Sequence, residues 1–133
     1  MTDLDLVKMA ITARENSYSP YSNFMVGAAI VADSGKVYTG ANVENAAYSP
    51  TICAERSAIG TAVSAGERRF TKVAVAGWPK DGSGHATPCG VCRQTLMEFC
   101  QQDTQILIAY GGDVYQTYTL AELLPLGFGP DSL

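Results

Sequence analysis

The amino-acid sequence predicts an α/β protein, a three-layer α/β/α sandwich built on a mixed five-stranded sheet. Three observations lead there. Segments of helical and strand periodicity run in the order helix, two strands, helix, strand, helix, two strands, helix. Strands that alternate with helices in the middle of a chain imply right-handed crossovers and helices on both sheet faces. At 133 residues, with 47% hydrophobic and 17% charged residues, the chain fits one ordered domain spanning residues 1–133 that needs no disulfide staples.

Each element has a local reason. Leu4, Val7 and Ile11, with Leu6 and Ala10 beside them, recur at helical spacing, and Thr2 or Asp3 supplies the cap. After the turn-prone run NSYSPYSN, residues 24–32 and 37–44 read as two strands joined through the turn DSGK. An Ala-rich helix starts at Thr51 or Ile52 and runs to about Ala65, where Gly66 ends it. Residues 72–78 form a short apolar strand, followed by the loop 79–88 with its glycines and prolines. A further helix starts at the second cysteine pair and runs to about Gln101. Residues 105–111 and 114–118 are strands, 119–125 a short helix, and 126–133 a loose tail.

Charge and composition exclude several classes. A net charge of -4 and a pI near 4.8 argue against a nucleic-acid partner, because binding to a phosphate backbone rests on clustered Lys and Arg. The cluster Arg68, Arg69 and Lys72 is too short to be more than a solvated turn. The start, MTDLDLVKMAITAREN, has early acids and no unbroken apolar stretch, so neither a signal peptide nor a membrane span is expected there. The expected compartment is cytoplasmic, where cysteines bind metal or pack in the core more often than they pair.

Cys53, Cys89 and Cys92 form a zinc-binding pattern with Glu55 beside it. Cys89 and Cys92, three apart at a helix start, place two sulfurs on one face, and Cys53 starts another helix. The positive end of each helix dipole favours the thiolate that a metal requires. Three thiolates leave a fourth zinc position open, as in catalytic sites. Cys100, eight residues past Cys92, is roughly 12 Å further along the helix and reads as core packing. His85 reads as a solvated residue of its loop. Glu55, two residues beyond Cys53, sits beside the metal without binding it and is the expected proton carrier; its bland reading is a first-turn charge favoured by the dipole. So thiolate-rich a centre needs compensating charge, and Arg56 and Arg93 are each placed to donate to a ligand sulfur, with a plain surface arginine as the alternative.

The runs CAER and PCGVCRQ resemble those of the zinc-dependent cytidine deaminases, whose superfamily signature H-x-E…P-C-x-x-C is changed here by Cys53 in place of histidine. They are similar to the short three-cysteine branch acting on free nucleosides, over about Tyr18 to Phe128. The resemblance implies a cytidine deaminase fold, one Zn²⁺ per subunit, and hydrolytic deamination of cytidine and deoxycytidine with Glu55 as catalytic residue. It further implies that Phe24 packs on the nucleoside, that Asn42 and Glu44 bind the ribose 3′-hydroxyl, and that the Ala54 backbone binds the base. Tyr48 and Phe128 would act across a subunit boundary in a homotetramer with shared active sites.

Other readings stand beside these. Phe24 reads equally as core and Phe128 as part of a frayed terminus, while Asn42 and Glu44, two apart on a strand, project to one side as a sugar-binding pair should. Competing functions are deamination of a related aminopyrimidine nucleoside such as blasticidin S, deamination of a polynucleotide, and a structural zinc module without turnover.

Overall fold

The computed structural model describes all 133 residues, with nine regular elements and a closing turn of 3₁₀ helix at Pro130–Ser132. The order matches the sequence expectation: α1 (Asp3–Arg14), β1 (Phe24–Ala32), β2 (Val37–Ala41), α2 (Ala54–Ser64), β3 (Phe70–Pro79), α3 (Gly90–Phe99), β4 (Gln105–Gly111), β5 (Val114–Thr119) and α4 (Leu120–Leu123). The five strands form one sheet in the order β2-β1-β3-β4-β5. Only β3 and β4 are parallel, with α3 as the crossover between them, so the sheet is mixed as the pattern required. No helix is long and apolar enough to cross a membrane.

Strand alternation splits the core in two. Ala28, Ile30, Val73, Val75, Ile106 and Ile108 face one side, where α2, α3 and α4 add Ala58, Ile59, Leu96 and Leu120. Ala29, Ala74, Ala76, Leu107 and Ala109 face the other, against Leu6, Val7 and Ala10 of α1. Each full burial of a Leu, Ile or Val contributes about 2 kcal/mol. The alanines on the α1 side allow a close approach: a Cβ at Gly27 would stand 2.1 Å from the Ala10 carbonyl oxygen.

Local chemistry sets the element ends. Thr2 caps α1 in a reciprocal box with Asp5. Arg14 closes the same helix, buried, and holds the far ends of β1 and β3: its guanidinium donates to the carbonyls of Met25, Trp78 and Pro79 at 2.8–3.1 Å and lies over the Trp78 ring. This position looks in sequence like an ordinary basic C-terminal residue.

Several boundaries differ from the sequence expectation, and so does the tail. Strand β2 stops at Ala41 instead of residue 44, because Asn42 turns its side chain onto β1, while Val43 makes single bridges to Tyr18 and Ile52. Helix α2 begins at Ala54 because Ile52 is held extended by that bridge and Cys53 is the cap. Helix α3 ends at Phe99, with Cys100 extended. The tail is fastened: Gln94 Nε2 donates to the Phe128 carbonyl at 2.8 Å, and Gly129 packs buried on Met97.

Candidate metal centre and active site

Two helix starts converge to make the site. Cys53 is the N-cap of α2 and Cys89 the N-cap of α3, where its sulfur accepts from the Cys92 amide at 3.4 Å. The sulfurs of Cys53, Cys89 and Cys92 lie within 4.8 Å of one another, and no other group of three metal-ligating residues comes together in the chain. Cys53 and Cys89 are 3.7 Å apart. Tetrahedral thiolates with Zn–S bonds of about 2.3 Å stand about 3.8 Å from each other, so the donor set and its spacing both fit zinc.

Electrostatics prepare the cluster. The Cys53 thiol is brought down to about 5, chiefly by the hydrogen bond from Cys92 and then by Arg56, against its partial burial. Cys92, fully buried, is pushed up because it holds the shared proton toward Cys53. Arg56 Nη2 donates to Cys53 Sγ at 3.5 Å, and its Nε is buried without another partner. That guanidinium offsets negative charge on the sulfurs, as expected of Arg56.

Arg93 behaves otherwise, and this corrects the expectation. None of its nitrogens donates to a sulfur: Nε donates to the Pro88 carbonyl at 2.7 Å, Nη1 to the Leu123 carbonyl at 2.6 Å and Nη2 to Thr87 Oγ1 at 3.2 Å. Cys100 is buried away from the cluster, with its thiol pushed up to about 12 by burial. His85 stacks on Tyr110, ring centroids 4.4 Å apart, and stays outside the metal group.

A cavity of 230 Å³ opens beside the sulfurs. Phe24, Val26, Val75 and Ala86 give it apolar walls, and Asn42, Ala54 and Glu55 also line it. Glu55 is 3% exposed, and burial raises its carboxyl to about 7, with the negative charge of Cys53 adding to the rise. The amides of the first turn of α2 have no partners within the helix, so Ala54 stands where a free donor is available.

The expected sugar-binding pair is split. Asn42 lines the cavity, but its Oδ1 accepts from the Val26 amide and Ser17 Oγ, and its Nδ2 donates to the Phe24 carbonyl at 2.9 Å. Glu44 borders an adjoining hollow of 280 Å³ with Tyr21, Ser22 and Tyr48, where it accepts from both backbone amides of Tyr21 and Ser22 and from the Ser22 hydroxyl. Both residues lie beyond the end of β2, so strand alternation does not place them. Thr51 lines both spaces and joins them. Tyr48 and Phe128, 73% and 59% exposed, line no part of the 230 Å³ cavity. Sequence reading missed the walls Thr51, Ala86 and Thr87; their one signal was proximity in the chain to Cys53 and Cys89.

Comparison with known proteins agrees with this geometry. The family model described as the cytidine and deoxycytidylate deaminase zinc-binding region matches residues 1–108. The chain belongs to this deaminase family. The chain is 45% identical to a cytidine deaminase of Sporosarcina psychrophila over 129 residues, 96% of this chain and 92% of that protein. A cytidine deaminase of Halalkalibacterium halodurans is 44% identical over the same length, 96% of this chain and 95% of that protein. The crystal structure of a cytidine deaminase from Burkholderia pseudomallei superposes with a TM-score of 0.87 at 41% identity, covering 96% of this chain and all of that one. Membership of the deaminase family accounts for the α/β/α fold and for a centre of three thiolates made to hold zinc.

Proposed function

We propose that this protein hydrolyses the 4-amino group of cytidine and deoxycytidine, releasing ammonia and leaving uridine and deoxyuridine. One observation carries the reading: three sulfurs stand at zinc spacing, and two of them, Cys53 and Cys89, line one small cavity with apolar walls together with the buried Glu55 carboxyl. Cys53, Cys89 and Cys92 hold the metal. Zinc bound there supplies Lewis-acid activation of a water.

The chain's own groups do the rest. Phe24, Val26 and Val75 receive the flat face of the pyrimidine, and the free amide at Ala54 donates to it. Glu55 takes one proton from the water that adds to C4 and passes it to N3, then carries the remaining hydroxyl proton to the amino group, which leaves as ammonia as the C4–N bond breaks and the C4 carbonyl forms. Asn42 holds the sugar near the cavity, and Glu44 meets it across Thr51 in the adjoining hollow. No Lys or Arg lines either space, which favours an uncharged nucleoside over a nucleotide carrying phosphate.

The same reading includes assembly. Tyr48 and Phe128 complete the sites of neighbouring subunits in a homotetramer, a role supported by their exposure and by their absence from the walls of the 230 Å³ cavity. Four unpaired cysteines, three of them ligands, suit a reducing, cytoplasmic setting. The test is ammonia release from cytidine, with and without a zinc chelator. Release that stops on chelation and returns with added Zn²⁺ is expected; zinc-loaded protein without turnover would leave only a structural metal module.

A further inference from the structure

We infer that Arg93 is a positioning residue that clamps one wall of the cavity. The segment Ala86–Thr87–Pro88 leads into Cys89, and Ala86, Thr87 and Cys89 all line the cavity. That wall contains no helix or strand of its own. It is held from three sides. Pro88 is fully buried, Ala86 packs so closely on Gly77 that a Cβ there would stand 2.7 Å from the Ala86 methyl, and His85 stacks on Tyr110 of β4.

Arg93 supplies the polar fixings. Its guanidinium joins Thr87 and Pro88, through 3.2 Å and 2.7 Å bonds, to the Leu123 carbonyl at 2.6 Å. Every partner is neutral: two backbone carbonyls and a hydroxyl, with no carboxylate among its bonds. A rigid fork of donors suits this task, whereas a lysine presents one nitrogen and cannot span three separated acceptors. Arg93 is also one residue from Cys92, so the clamp ties the wall to the helix that carries two ligands. The clamp sets where the wall stands relative to Phe24 and Val26, which line the same cavity, and thereby the fit of a flat ring.

The inference rests on the cytidine reading only for its kinetic arm. In Arg93→Ala, KM for cytidine is expected to rise about tenfold with kcat changed less than about threefold, and zinc content to stay near one per chain. Arg93→Lys is expected to recover only part of the loss. Amide hydrogen exchange of residues 86–91, read without substrate, is expected to accelerate in both variants while that of β1 and β4 stays at the wild-type rate. If Arg93→Ala does not fold, Arg93→Lys carries both measurements. Unchanged exchange at 86–91, or unchanged KM with only a lower unfolding midpoint, would overturn the clamp. A wild-type protein inert toward cytidine would fail the functional reading, and the exchange comparison would still decide the clamp.

Discussion

The Glu55 carboxyl has almost no contact with solvent and sits two residues from a metal ligand, so its loss changes chemistry more than architecture. Glu55→Gln keeps the shape and removes the ionisable carboxyl that is proposed to carry protons. On the proposed mechanism its kcat falls by at least about 100-fold while zinc content stays at wild-type level, measured by cytidine absorbance and by metal analysis. Cys100 offers the opposite case, a buried sulfur outside the metal group. Burial lifts its thiol to about 12, so near pH 8 the reactive thiolate is scarcely formed in the folded chain. Brief exposure to iodoacetamide at that pH, followed by peptide mass mapping, should leave Cys100 unmodified in native protein and alkylated in urea. At this scale the sequence was legible wherever a side chain's own chemistry points to its neighbours, as with the three cysteines that meet at zinc spacing. Arg93 and Arg14 were not legible, because their partners are backbone carbonyls up to 65 residues away and carry no sequence signal.

Elements bring those residues together, and two close approaches control how well. A Cβ at Gly40 would stand 2.5 Å from the Ala58 amide nitrogen and 2.7 Å from the Ala54 carbonyl oxygen, so β2 lies directly on the backbone of the helix that Cys53 caps. Gly40→Ala forces the strand and helix apart; a loss of about 2 kcal/mol is expected in chemical denaturation, with faster release of zinc to a chelator. Glu67, after α2, accepts from Ser34 Oγ at 2.6 Å and Tyr38 Oη at 2.8 Å, fastening the β1–β2 hairpin to the start of β3. Those bonds, Ser34 first, hold its carboxyl below the usual 4.5. A depressed value means that the folded state favours the charged form; its contribution is present above 4.5 and is lost as pH falls through the lower folded value. In Glu67→Gln the unfolding midpoint should therefore drop relative to wild type at pH 7, and the two should converge in acid. The elements themselves were legible from periodicity and caps, down to a cap at Thr2 or Asp3 and a helix opening at the second cysteine pair. Their ends were less so: β2 stops early because Asn42 bonds to β1, a partner 16 to 18 residues distant.

At the scale of the whole molecule, several apolar side chains face solvent from parts of the chain that the cavity does not use. Val91, Phe128 and Leu126 are 59%, 59% and 103% exposed, and the tail that carries two of them is fastened to α3. Such surface suits burial between copies. On the proposed assembly, light scattering gives the mass of four chains, and Phe128→Ala keeps that mass while raising KM, because the ring it removes serves a neighbour's site. A monomer with full activity would count against shared sites. The sequence by itself singled out the three thiol donors, the carboxyl proposed as proton carrier and the order of helices and strands, since ligand chemistry and periodicity are local properties. Only the tertiary structure decided the sheet order, the cavity, the split between Asn42 and Glu44, and the clamp of Arg93. Those depend on which distant backbone groups become neighbours, and that is settled when α1 and the other helices close on opposite faces of the sheet.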